Sequence, residues 1–141
     1  MSTQIGIDEK LIKYLKETGY RSDDIINQLV KETFALGSVA RMQIAPEQGQ
    51  FLEIIVKIAG AKNCLEIGRF TGLSSLCIAK GLSAKGKLIA IDNSDEFLSI
   101  AKKYWKMAGV DSKIESLIAD GVEAMQSMID RKHFFDFIFI D

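Results

Sequence analysis

Apolar residues recur at helical spacing through the first third of the chain and then give way to short apolar runs separated by amphipathic stretches. The spacing predicts a helix over 8–18 and a second after Ser22, with Ile25, Ile26, Leu29, Val30 and Thr33 on one face and Gly37 at its end. Pro46 suits the first turn of a third helix, in which Phe51, Leu52, Ile55, Ile58 and Ala59 read as one buried stripe before Gly60. From Lys62 onward the pattern is that of strand-helix-strand units around a parallel sheet, with strands expected over 63–67, 87–91, 113–118 and 135–140. Between the second and third lies the clearest helix, carrying Phe97, Ile100, Ala101, Tyr104, Trp105 and Ala108 on one face and Gly109 just past its end. Asn93 with Glu96 reads as a capping box for it, with Asp95 adding charge to the first turn, and Asp120 with Glu123 repeats the arrangement before Met128 and Ile129. These elements imply an α/β chain with an N-terminal helical segment over 1–45 and a parallel-sheet domain over 46–141.

Composition narrows the function classes. The 141 residues are 48% hydrophobic, as expected of one soluble globular domain. Eighteen basic residues against 19 acidic give a net charge of -1, with no basic block dense enough to neutralise a phosphate backbone, so nucleic acid is not an expected partner. Asp8 and Glu9 interrupt the start where a signal peptide needs an apolar run, and no stretch reaches the ~18 apolar residues of a membrane span. A cytoplasmic protein is expected, with no membrane partner. Cys64 and Cys77 sit in apolar segments at no metal-ligand spacing and read as small buried hydrophobes. The only histidine, His133, falls in the charged turn before the fourth strand and reads as a solvated loop residue.

The segment from Leu65 to Ser75, LEIGRFTGLSS, is a strand running into a glycine-bearing loop that opens a helix. Ligands of open parallel sheets bind outside the carboxyl ends of the strands, which puts this loop in the expected site. A dinucleotide fold would show three glycines as G-x-G-x-x-G, whereas only Gly68 and Gly72 occur here, and Glu66 sets a carboxylate where a phosphate would be repelled. S-adenosylmethionine carries no phosphate but a sulfonium and an ammonium, which a nearby carboxylate favours. Asp92, at the end of the second strand, is placed to accept the ribose hydroxyls. Ordinary turn geometry would also explain the glycines, and helix capping would also explain Asp92. Asp120 after the third strand, followed by Gly121, can reach an adenine edge or serve as the N-cap.

Several of these residues resemble the cation-dependent O-methyltransferases that include the caffeoyl-coenzyme A and catechol enzymes. The match runs through Met42-Gln43-Ile44, Pro46 to Leu52, the Glu66-Ile67-Gly68 loop with Thr71, Gly72 and Ser74, Asp92, Ala108-Gly109-Val110, and Phe137 to Asp141. The resemblance implies a Rossmann-like class I methyltransferase sheet with N-terminal helices. Donor binding would fall to Glu66, Gly68, Ser74 and Asp92, and Met42 would line the same pocket or pack in the core. With Phe70, Asp120 and Gly121 these complete the candidate cofactor-binding set. Phe70 and Leu73 stand where tyrosines are common in the family, and Arg69 adds a cation that could pair with the donor's carboxylate or with a surface acid.

The resemblance further implies methyl transfer from the sulfonium to one oxygen of a vicinal diol on a catechol-like or caffeoyl-CoA-like acceptor, assisted by a divalent metal, magnesium or calcium. Asp141 would be the first of three metal ligands, with a lysine base and an Asp-Asn pair beyond it. No catalytic residue is therefore expected within 1–141, and this stretch alone is expected to be inactive. By resemblance the sheet has order 3-2-1-4-5-7-6, so ending after the fourth strand would leave at an edge a strand whose apolar run suits burial on both faces. That implies a fragment, a truncated product or a chain whose partner surface is another copy, a homodimer. The alternatives are a non-catalytic domain that binds the donor or dimerises, and a dinucleotide-dependent oxidoreductase, against which Glu66 and the two-glycine loop argue.

Overall fold

The computed structural model describes residues 6–141; the first five residues of the N-terminal segment expected over 1–45 lie outside the described residues. Helix α1 spans Glu9–Tyr14, capped by the Asp8 carboxylate, which accepts the Leu11 N–H at 2.8 Å. It widens into a π-helical turn over Leu15–Gly19. Helix α2 spans Asp24–Phe34, starts on the Asp23 side chain, which accepts the Ile25 and Ile26 N–H groups, and buries Ile26, Leu29 and Thr33. It stops short of Gly37, which instead opens a 3-10 helix over Gly37–Met42.

Helix α3 spans Pro46–Ala59 with proline in the first turn and Gly60 closing it. Its buried face differs from the expected one: Gly49, Leu52 and Val56 point inward, while Phe51 is 59% and Ile58 82% exposed. The cause is close helix packing. A Cβ at Gly49 would lie 2.7 Å from the Cys77 sulfur, and one at Gly81 would lie 2.6 Å from the Glu53 carbonyl oxygen. Two bare backbones thus bring α3 against helix α4, Leu73–Gly81, and turn Phe51 and Ile58 outward.

The sheet holds four parallel strands, β1 (Asn63–Ile67), β2 (Lys87–Asp92), β3 (Ile114–Ile118) and β4 (Phe137–Ile140), in the order β3-β2-β1-β4. Helices α5 (Leu98–Met107) and α6 (Gly121–Asp130) complete the crossovers. Cys64, Leu88 and Ala90 form the large core with the apolar residues of α2 to α5, whereas Leu65 and Ile91 pack with Met128 beneath α6. The α/β parallel sheet expected from the sequence is present, with small shifts at two strand starts. Lys113 ends a 3-10 turn, its ammonium donating to the Ala79 and Leu82 carbonyls. Asp136 turns back to accept the Lys62 and Asn63 N–H groups at 2.8 and 2.9 Å, so β4 begins at Phe137 rather than Phe135.

β4 is covered on one face only. Phe137 and Phe139 pack against the large core, while Ile138 is 53% and Ile140 64% exposed. Burial on both faces was expected, but the apolar side chains of α6 pack over β1, β2 and β3 rather than over β4. Cys64 and Cys77 are free and buried, and burial pushes their thiols up to about 11 and about 12. Among the described residues no helix is long and apolar enough to cross a membrane.

Candidate functional site

A cavity of about 580 Å³ opens at the C-terminal ends of β1, β2 and β3, within the usual size range of small-molecule sites. Its wall brings together Met42, Gly68, Phe70, Asp92, Asp120, Gly121 and Asp141 from the expected set. Glu66 and Ser74 are not part of that wall; both are buried behind it.

The wall is built from the β1–α4 loop. Gly68 has φ +91, and a Cβ there would sit 2.8 Å from the Asp141 carbonyl oxygen, so both backbone conformation and space require glycine. The next two N–H groups, of Arg69 and Phe70, donate to Asp92 Oδ2 at 3.0 and 2.9 Å, and Ser94 N–H donates to Oδ1 at 3.0 Å. Each carboxylate oxygen can accept about two hydrogen bonds, so Oδ1 keeps a free position for a ligand hydroxyl. The Asn93–Glu96 capping box does not form, because Asp92, one residue earlier, organises this turn. Ser94 Oγ then accepts the Glu96 N–H, and α5 starts after Phe97 with no side-chain cap.

Phe70 has φ +48, a left-handed conformation costing a non-glycine residue on the order of 1–3 kcal/mol. Two contacts hold it there: its N–H on Asp92 and its ring set edge-on against Phe97, centroids 4.9 Å apart. Arg69 lines the cavity and forms no ion pair with a surface acid among the described residues. Its side chain is folded inward, 2% exposed, with Nη1 donating to Ser116 Oγ at 2.6 Å and Nη2 to the Ser94 carbonyl at 2.8 Å.

Glu66 shares a face of β1 with Cys64 and meets the start of α4, where Ser75 Oγ donates to its Oε2. Its Oε1 has no hydrogen-bond partner. Burial pushes the Glu66 carboxyl up to about 7, the hydroxyls of Ser74 and Ser75 and the Arg69 charge offsetting only part of that, while Asp141 adds to it. Asp120 caps α6, its Oδ1 accepting the Val122 and Glu123 N–H groups at 2.9 and 3.0 Å, and it lines the cavity as well.

Met42 reaches the cavity from the 3-10 helix, anchored by a buried polar network absent from the sequence reading. Gln43 Nε2 donates to Thr33 Oγ1 at 2.8 Å and to Thr71 Oγ1 at 3.2 Å, and Thr33 Oγ1 donates to Thr71 Oγ1 at 2.9 Å. This network ties α2 and the 3-10 helix to the β1–α4 loop. Asp141 follows β4 with its N–H on the Ile67 carbonyl at 3.0 Å. Among the described residues no three His, Cys, Asp or Glu side chains gather to hold a metal ion. A hard divalent cation takes about six oxygen ligands, so the residues present do not make up a metal site. His133 is exposed, as expected.

The family model described as O-methyltransferase matches residues 16–141. The chain belongs to this O-methyltransferase family. An Arabidopsis thaliana protein with a provisional caffeoyl-CoA O-methyltransferase name is 38% identical over 136 residues, covering 94% of this chain and 59% of that protein. The caffeoyl-CoA O-methyltransferase of Medicago sativa is 33% identical over 138 residues, 94% of this chain and 56% of its own length. Among solved structures, the Bacillus cereus O-methyltransferase in complex with SAH superposes with a TM-score of 0.80 at 30% identity, over 92% of this chain and 59% of that one. The chain thus spans less than two thirds of the length of these family members.

Proposed function

We propose that the cavity binds S-adenosylmethionine and that residues 6–141 form the methyl-donor half of an O-methyltransferase. The observation that carries this reading is the Asp92 carboxylate: fixed by three backbone N–H groups, it keeps one acceptor position open on the cavity wall at the end of β2. A ribose hydroxyl donates naturally to such a position. Glu96, Asp120 and Asp141 stand on the same wall as Asp92, and four carboxylates around one cavity disfavour the pyrophosphate of a dinucleotide. They favour a ligand with cationic groups, and the complexes named for the B. cereus relative and for TomG of Streptomyces achromogenes, with SAH and SAM, agree with that choice.

Within this reading Gly68 lets the donor approach the backbone, Phe70 and Phe97 form an apolar side, and Asp120 with Gly121 bounds the adenine end. Glu66 acts from behind the wall, as a partly neutral carboxylate supporting the loop. The N-terminal segment contributes Met42, closing the cavity from the α2 side. The acceptor is proposed to be the hydroxyl of a small catechol-like or caffeoyl-CoA-like molecule in a cytoplasmic, homodimeric enzyme. Magnesium or calcium assistance is proposed for the whole protein, with Asp141 contributing only one of the ligands.

Calorimetric titration with SAM, SAH and NAD tests the donor assignment. Binding of SAM and SAH in preference to NAD is expected. Asp92→Ala should weaken SAH binding roughly tenfold to a hundredfold, the usual effect of losing a hydrogen bond to a charged partner. Equal affinity for NAD, or unchanged SAH affinity in Asp92→Ala, contradicts the assignment.

A further inference from the structure

Arg69 is a buried cation without a salt bridge: the charges of Asp92, Glu66 and Asp95 favour its own, but none of them pairs with its guanidinium. Its guanidinium touches only a serine hydroxyl and a backbone carbonyl, its Nε has no partner, and no ion pair involving it occurs among the described residues. Burying a charge in this way is costly, and a hydrophobic side chain of similar volume usually serves stability as well or better. Packing therefore gives no reason for arginine at this position.

The geometry gives one. The main chain and side chain of Arg69 hold the same turn from two sides. Its N–H donates to Asp92 Oδ2 at 3.0 Å, and its Nη2 donates to the carbonyl of Ser94, two residues further on, at 2.8 Å. Its Nη1 anchors both to β3 through Ser116 Oγ at 2.6 Å. The turn so held, with Asn93, Ser94 and Phe97, is the wall of the cavity beside Asp92. Phe97 in turn supports the strained Phe70.

We propose that Arg69 is a positioning residue, a clamp that fixes the Asp92–Phe97 turn against the β1–α4 loop and β3 and so sets the shape of the nucleoside end of the cavity. The choice of ligand rests on the donor-site reading above; the clamp itself does not. Arg69→Met keeps the volume and removes the clamp, Arg69→Lys keeps the charge but supplies a single donor group, and Ser116→Ala removes only the anchor on β3.

Two measurements on the unliganded and SAH-titrated chain decide it. In the free protein, hydrogen exchange at the Ser94, Glu96 and Leu98 amides should accelerate in Arg69→Met, with the amides of β1 unchanged. SAH should bind roughly tenfold to a hundredfold more weakly to Arg69→Met, with partial recovery in Arg69→Lys and a smaller loss in Ser116→Ala. A simple packing role would slow or speed exchange throughout the sheet and would not be rescued by lysine. Unchanged exchange at the three turn amides in both Arg69→Met and Ser116→Ala overturns the clamp, as does full SAH affinity in Arg69→Met. Faster exchange confined to the turn in Arg69→Met, together with a wild-type protein that binds no SAH, upholds the clamp and sinks the donor reading instead.

Discussion

The indole N–H of Trp105 on α5 donates to the carbonyl of Gly72, the residue that opens α4, at 3.0 Å. Gly72 has φ +84, and a Cβ on it would lie 2.8 Å from the indole nitrogen and 2.7 Å from the Ala101 Cβ. The only tryptophan of the chain thus locks the end of the β1–α4 loop to α5. Gly72→Ala combines a left-handed backbone with overpacking and should destabilise the fold by roughly 2–4 kcal/mol. Trp105→Phe should cost less, roughly 1–3 kcal/mol, from the lost bond and the vacated volume. Urea unfolding measures both, and a Gly72→Ala chain as stable as wild type would contradict the contact account.

Glu66 gives stability a pH dependence with a definite sign. Its carboxyl rises from 4.5 to about 7 on folding, chiefly through burial. Between those values the native state binds a proton that the unfolded state lacks, so stability falls as pH rises. The loss begins above the unfolded value and is complete once pH passes the folded value, amounting at most to roughly 3 kcal/mol. Asp23 has its carboxyl held low by the Lys80 ammonium and the Ile25 and Ile26 N–H groups, against the effect of burial, so its own contribution is lost only at lower pH. Glu66→Gln keeps a neutral side chain of the same shape. The expected result is a wild-type chain clearly more stable at pH 5 than at pH 8, and a Gln variant whose stability changes much less over that interval. Parallel profiles for the two proteins would show that Glu66 does not titrate in this range.

How far the sequence was legible follows from what each signal measures. Apolar runs gave all four strands, because a strand in a parallel sheet is recognisable one residue at a time. The face of α3 was misread because the helix carries two competing apolar stripes, and Gly49, whose absent side chain decides between them, has no hydrophobic signal of its own. At Arg69 the sequence leaves the donor's carboxylate and a surface acid open as partners, and only folding brings Ser94 and Ser116 beside it. Strand alternation did hold information about Glu66, which shares a face with the buried Cys64 and should be expected to point away from the cavity. The Thr33–Gln43–Thr71 network joins residues far apart in sequence, and no local pattern marks it.

The outer edge of β4 leads to the last expectation. β4 pairs with β1 only, leaving its other side without a strand among the described residues. Ile138 and Ile140 stand exposed along it, and Phe134 just before it is 84% exposed, whereas Phe137 and Phe139 are packed into the core. An unprotected apolar edge of this kind recruits another strand, since pairing satisfies backbone groups and covers the isoleucines together. The chain of residues 1–141 should therefore self-associate in a concentration-dependent way. A lysine on the exposed face opposes such pairing at little cost to the fold, because the side chain it replaces is already half in water. Ile138→Lys is the better choice than Ile140→Lys, since Ile140 stands beside Asp141 on the cavity wall. Sedimentation equilibrium should give a mass that rises with concentration for the wild-type chain and a monomer for Ile138→Lys, with SAH binding retained. A wild-type chain that stays monomeric at high concentration would show that this edge is not a contact surface, and the proposed homodimer would then need a different interface.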